Sequence, residues 1–149
     1  MSRFPELVHS VVGRLFCMVA LFTLASGCGL RPKRVYAAHG KVVDARQKPA
    51  AGATVILHPL GAADPAVPKP TGTVNEAGEF VLTTYKEGDG APEGEYAVTV
   101  IWLTCRVLTF DPEETDRLKG RYDHPDRSPL PHVTISKPGP NELPTIVLQ

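Results

Sequence analysis

The chain has 149 residues, room for one domain, and sets 16 Lys and Arg against 16 Asp and Glu. With no basic excess to neutralise a phosphate backbone, nucleic acid is excluded as a partner on charge alone. Fifteen Pro and 13 Gly favour short strands and turns over helices.

The first element is apolar. Leu15-Phe16-Cys17-Met18-Val19-Ala20-Leu21-Phe22 follows Arg3 and Arg14. A helix needs about 20 apolar residues to span a bilayer, so this charge-then-apolar layout reads as an export signal. It closes on Leu24-Ala25-Ser26-Gly27-Cys28, whose small residues before a cysteine resemble the bacterial lipobox, with Ala25 where Leu is usual and Leu24 one place earlier. The resemblance implies cleavage before Cys28, a diacylglyceryl group on its sulfur and an acyl chain on its amine. At about 0.8 kcal/mol per buried CH₂, two or more chains hold firmly where one does not. The alternative is a plain secretory signal or a short uncleaved anchor. Residues 1–27 are thus expected to be a lipoprotein signal, 28–34 a lipidated tether and 35–149 the folded domain. Cys17 leaves with the signal and Cys28 takes the lipid. Cys105 then has no cysteine to pair with, which rules out a disulfide and a Cys-based metal cluster. Set among apolar residues with no His or Asp partner in sequence, it reads as a buried, inert thiol.

Residues 35–44 form a strand whose two faces are equally mixed, which suits a sheet edge. A turn over 45–52 leads to a strand at 53–58, where Val55 and Leu57 alternate with Thr54, Ile56 and His58. Residues 59–70 contain Pro59, Pro65, Pro68 and Pro70. Proline removes ladder donors, so this is an exposed loop. Asn75-Glu76-Ala77-Gly78 is a turn, with Gly78 where positive φ is tolerated. The strand over 79–84 buries Phe80 and Leu82. A Gly- and Asp-rich loop, 87–92, then feeds the central core strand of the domain. There Tyr96, Val98, Val100 and Trp102 share one face, and Glu95, Ala97, Thr99 and Ile101 make the other only partly polar.

Residues 103–110 continue that strand or bend onto a second sheet. One short helix follows: Asp111 caps it, Pro112 suits its first turn, Glu113 and Glu114 complement its positive end, and Gly120 ends it. Residues 121–131 are a loop, 132–136 a strand with Val133 and Ile135 inward, 137–141 a turn and 142–148 the closing strand. About seven strands separated by turns indicate an all-β sandwich.

These elements also carry a family pattern. Gly40-Lys41-Val42-Val43-Asp44, Lys48-Pro49, Gly52-Ala53-Thr54-Val55, Thr73-Val74-Asn75-Glu76-Ala77-Gly78-Glu79-Phe80 and Gly94-Glu95-Tyr96-Ala97-Val98-Thr99-Val100 resemble, in order and spacing, the carboxypeptidase regulatory-like domain. Asn75 stands where that family more often has Asp, and either side chain closes the turn. The resemblance implies a seven-strand Greek-key β-sandwich of transthyretin-like type that acts as an accessory or binding module. It supplies no catalytic residues. Gly120-Arg121-Tyr122, Ser128-Pro129-Leu130 and residues 138–143 further resemble small bacterial lipoproteins of this type.

Enzymes of related fold fit poorly. Hydroxyisourate hydrolases end in Tyr-Arg-Gly-Ser, whereas residues 144–149 read Pro-Thr-Ile-Val-Leu-Gln. Intradiol dioxygenases hold iron with two Tyr and two His; Tyr122, His124 and His132 invite the comparison but lack the Tyr-x-x-His-x-His run. Glu87, Asp89 and Glu93 offer oxygens of the kind calcium takes, although turn chemistry alone accounts for their loop. Lys41, Asn141 and Glu79 or Glu95 are the residue types of an intramolecular isopeptide bond. The expectation is therefore a lipid-anchored, non-catalytic module of the bacterial cell envelope, without metal or cofactor. It would meet envelope proteins or glycans through loops 59–70, 87–92 and 121–131, with Glu87, Asp89, Tyr122 and His124 as candidate binding positions. The alternative is a small-ligand carrier or enzyme with a pocket between the sheets of a transthyretin-like fold. Gly29, not Asp, follows Cys28, which by analogy favours the outer membrane over the inner.

Overall fold

A computed structural model describes residues 32–62, 64–105 and 114–149. Among these the regular structure is all β: β1 (Val35–Tyr36), β2 (Ala38–Asp44), β3 (Thr54–Pro59), β4 (Thr71–Thr73), β5 (Glu79–Val81), β6 (Ala91–Pro92), β7 (Gly94–Ile101), β8 (Leu103–Cys105), β9 (Glu114–Asp116), β10 (Val133–Ile135), β11 (Asn141–Glu142) and β12 (Ile146–Leu148). No helix among the described residues is long and apolar enough to cross a membrane. The strands are more numerous and shorter than expected because breakers divide them. Pro144, for example, lacks the N–H that would carry β11 on into β12.

The first four-stranded sheet runs β10-β7-β3-β4, antiparallel throughout. The second is built on β2. Strand β5 pairs with one edge of β2, antiparallel, while β11 and then β12 run parallel to it along the other edge. Strand β2 is thus central, not an edge. Its inward residues are Ala38, Gly40 and Val42, a face too small to look hydrophobic in sequence. The reason is steric: a Cβ on Gly40 would lie 2.8 Å from Cζ of Phe80, so the missing side chain makes room for that ring. The sheets join at one corner, where Thr71 and Thr83 exchange backbone hydrogen bonds of 2.7 and 2.9 Å. Together they form a curled half-barrel around one core.

That core contains the faces the alternation predicts. Val55 and Leu57 of β3, Val98 and Val100 of β7, and Val133 and Ile135 of β10 meet Val42, Phe80, Leu82, Leu143, Ile146 and Leu148. Tyr96 and Trp102 are buried with them. The 75–78 turn closes through Asn75 Oδ1, which accepts the N–H groups of Ala77 and Glu79 at 2.9 Å each. Asn therefore serves there as Asp would. Among the described residues no buried side-chain nitrogen or oxygen lacks a hydrogen-bond partner.

The helix expected to end at Gly120 is corrected. Glu114–Asp116 is a strand paired with β8, in register Leu103 with Asp116 and Cys105 with Glu114. Asp116 then turns the chain: Oδ1 accepts the N–H groups of Leu118 (3.1 Å) and Trp102 (3.2 Å), and Oδ2 that of Gly120 (2.8 Å). An Asp inside a two-turn helix offers the backbone a competing partner, and here the competition wins. The expected cap, Asp111, and its neighbours Pro112 and Glu113 lie outside the described residues.

Candidate functional site

Cys28, the expected lipidation site, lies outside the described residues. Asp89 is a keystone of its own loop. Its Oδ1 accepts the Thr84 N–H at 2.7 Å, and Oδ2 accepts those of Tyr85 (3.0 Å) and Lys86 (2.9 Å). Burial pushes the Asp89 carboxyl up, but the N–H groups of Thr84, Lys86 and Tyr85 outweigh it and hold the carboxyl below its ordinary 3.8. With both oxygens so occupied, Asp89 acts on loop geometry, not as a ligand-facing group. Glu87 is exposed at the loop's tip. Among the described residues no group of three or more His, Cys, Asp and Glu gathers as a metal would require.

Tyr122 and His124 part company. Tyr122 is buried at 2% exposure, and its hydroxyl accepts the Gln149 N–H at 2.9 Å and donates to the Gln149 carbonyl at 3.3 Å. It clips the 121–131 loop to the end of β12. His124 is exposed, its Nδ1 3.6 Å from Oδ2 of Asp126. The isopeptide set does not assemble either. Lys41 pairs with Glu79 at 3.0 Å on an open surface, while the Asn141 amide is bonded to Ser136 and Ala37.

A different site is built on the outer face of the first sheet. Loop 59–70 on one side and Pro125 and Asp126 on the other wall a cleft of about 670 Å³, with His58 and Ala97 on its floor and Lys33, Glu93 and Glu95 among its rim residues. Loops 59–70 and 121–131, expected separately from sequence, therefore meet over β3 and β7. The floor is fixed by His58 Nε2, 2.8 Å from Oγ1 of Thr99, which is fully buried. Burial lowers the His58 pKa from its ordinary 6.5; the charges of Lys69 and His124 add to this, and Asp126 opposes it. At the rim Glu93 pairs with Lys137 at 2.9 Å. The arrangement is an apolar, proline-lined concavity with amines and carboxylates around its mouth, suited to holding a ligand by shape and a few polar contacts.

His58 and Thr99 were not singled out by sequence reasoning. A signal was there, since beyond Glu95 the second face of β7 carries Ala97, Thr99 and Ile101 and no further charge, and such a face is one that something covers. Between the sheets there is a smaller opening of about 250 Å³, bordered by Val98, Tyr122, Leu130, Val133 and Ile146.

No protein-family model matches the chain, and no curated protein does. Among solved structures, a 9R-lipoxygenase from Cyanothece PCC8801 is similar at a TM-score of 0.39 and 15% identity, over 90% of this chain and 20% of that one. This chain thus spans about a fifth of the lipoxygenase, and a likeness at that level carries no argument. The carboxypeptidase regulatory-like resemblance rests on its motifs alone.

Proposed function

We propose that this protein is a lipid-anchored, non-catalytic binding module of the bacterial cell envelope. In this reading its two sheets form a Greek-key β-sandwich of transthyretin-like type, resembling the carboxypeptidase regulatory-like domain. Acyl groups on Cys28 hold it to a membrane, the outer one by the analogy of Gly29. It binds an envelope protein or glycan in the cleft over β3 and β7. The observation that carries the reading is the convergence of loops 59–70 and 121–131 on one concavity of about 670 Å³, within the roughly 300–1,000 Å³ typical of ligand sites. The opening between the sheets, where a small-ligand carrier or enzyme of this fold would work, is only about 250 Å³. Both volumes favour binding on the outer face.

The anchor and the cleft are linked by distance. Three residues lie between Cys28 and Pro32, and an extended chain reaches at most about 3.6 Å per residue. Lys33 borders the cleft, so chain length alone caps the reach from an acylated Cys28 to Lys33 at roughly 18 Å.

Two experiments test the parts separately. Cys28→Ala is expected to move the protein out of the membrane fraction of intact cells; retention there would sink the anchor. A photo-cross-linking side chain at Glu95 is expected to capture a defined envelope partner, and one at Lys41, on the far sheet, is not. Equal capture at both positions, or turnover of a substrate by the purified protein, would overturn the binding module.

A further inference from the structure

The cleft is not the molecule's only built surface. At the other end of β7 the single tryptophan of the chain, Trp102, is pinned on both sides. Its indole Nε1–H donates to the Ala51 carbonyl at 3.0 Å, and its own carbonyl accepts the Arg117 N–H at 2.8 Å. The Arg117 guanidinium lies over the ring, 3.7 Å from its centroid. Two positions along the same turn is Lys119, and two further Arg121, which stands 5.7 Å from the Tyr122 ring centroid and donates Nη1–H to the Gln149 carbonyl at 3.2 Å. Arg46 faces them from the β2–β3 turn. All four cations border a depression of about 490 Å³, together with one carboxylate, Asp44.

Three carboxylates lie nearby: Asp123, whose Oδ2 would be 3.1 Å from a Cβ on Gly120, and Asp44 and Asp116, which are both hydrogen-bonded to the backbone. Asp44 turns Oδ1 to the N–H groups of Arg46 (2.8 Å) and Lys48 (2.9 Å), and Asp116 spends its oxygens on Trp102, Leu118 and Gly120. Among the described residues no carboxylate forms an ion pair with Arg46, Arg117, Lys119 or Arg121. Asp44, Asp116 and Asp123 keep their charges and partly offset the four cations, but the cations outnumber them and none of the four is held in an ion pair among the described residues. A guanidinium centred 3.7 Å from a ring centroid has given up rotamer freedom, and guanidinium N–H groups form the fork that suits a bidentate acceptor.

We propose that this depression is a second binding site, independent of the cleft, and that it takes a phosphoryl group carried by a ligand in solution. A group with two negative charges and three acceptor oxygens matches the forked donors of Arg117 and Arg121 and the point charges of Lys119 and Arg46. The concave shape and the ring-stacked arginines fit a discrete group. An anionic lipid surface is instead met by a spread of flexible basic side chains.

Tryptophan emission reads this site alone, because Trp102 has no counterpart elsewhere in the chain. The full chain is placed in neutral phosphatidylcholine vesicles and titrated with inorganic phosphate, with sodium chloride at matched ionic strength as the control. A parallel sample uses vesicles containing phosphatidylglycerol and no phosphate. The expected result is a saturable change with phosphate only. Arg117→Gln should weaken it by about tenfold or more, the loss of one charge-assisted bidentate contact. Arg46→Gln, which leaves the stacked ring untouched, should also weaken it. Emission that ignores phosphate, follows chloride equally, changes only on phosphatidylglycerol, or titrates in both variants as in the wild type overturns the proposal.

Discussion

Asp89 shows how a residue that looks like a ligand becomes structure. Three backbone N–H groups converge on its carboxylate, so Asp89→Ala strands them in a loop that water still reaches. The expected loss, at the low end for bonds to a charged acceptor, is about 1.5 kcal/mol in urea unfolding. Calcium should leave the wild-type midpoint where it is. The folded Asp89 carboxyl titrates below its ordinary 3.8, so its contribution is full above that pH and drains as pH falls through the folded value. Asp89→Asn should remove that acid-side loss. His58 works at higher pH. Its folded pKa is depressed below 6.5, so as pH falls under 6.5 the unfolded chain takes up the proton first. Stability is therefore greatest above 6.5 and declines as pH drops toward the folded value. Urea midpoints across that range should fall in the wild type and flatten in His58→Gln.

At the scale of the element, the Gly88-Asp89-Gly90 loop was legible because each residue has a local reason to be there. Gly90 adds a tertiary one. Its φ is +98°, and a Cβ on it would collide with the Tyr36 carbonyl, where β1 meets β6. Gly90→Ala is expected to cost about 3 kcal/mol or more, read as a drop in thermal midpoint, since left-handed strain and overpacking act together. Core strands were equally legible: Val55, Leu57, Phe80, Leu82, Val98 and Val100 alternate as buried strands must. Two elements were not. Strand β2 looked like an edge because Ala38 and Gly40 are small, yet they are small because Phe80 lies across them. Strand β9 looked like a helix start because Pro and Glu follow Asp111, while the deciding residue, Asp116, acts through backbone groups as far off as Trp102.

Over the whole molecule the chain closes late. Strand β2 waits for β11 and β12, about a hundred residues on, to cover its second edge. Leu143, Ile146 and Leu148 enter the core with them. At about 1.5–3 kcal/mol for each such side chain buried, their loss is comparable to the roughly 5–15 kcal/mol that keeps a domain folded. A chain ending at Pro140 should therefore lack the cooperative thermal transition of the full protein, as followed by far-ultraviolet circular dichroism. The sequence by itself determined the β class, the inward faces and the tight turns, because alternation and turn chemistry act between residues a few places apart. It also carries the lipobox-like string ending at Cys28, on which the proposed anchor rests. Tertiary structure alone decided that β2 is central, that Tyr122 is a clip, and that His58 floors a cleft walled by Pro65 and Asp126. Those placements depend on which distant segments cover which face, and no local pattern holds that information.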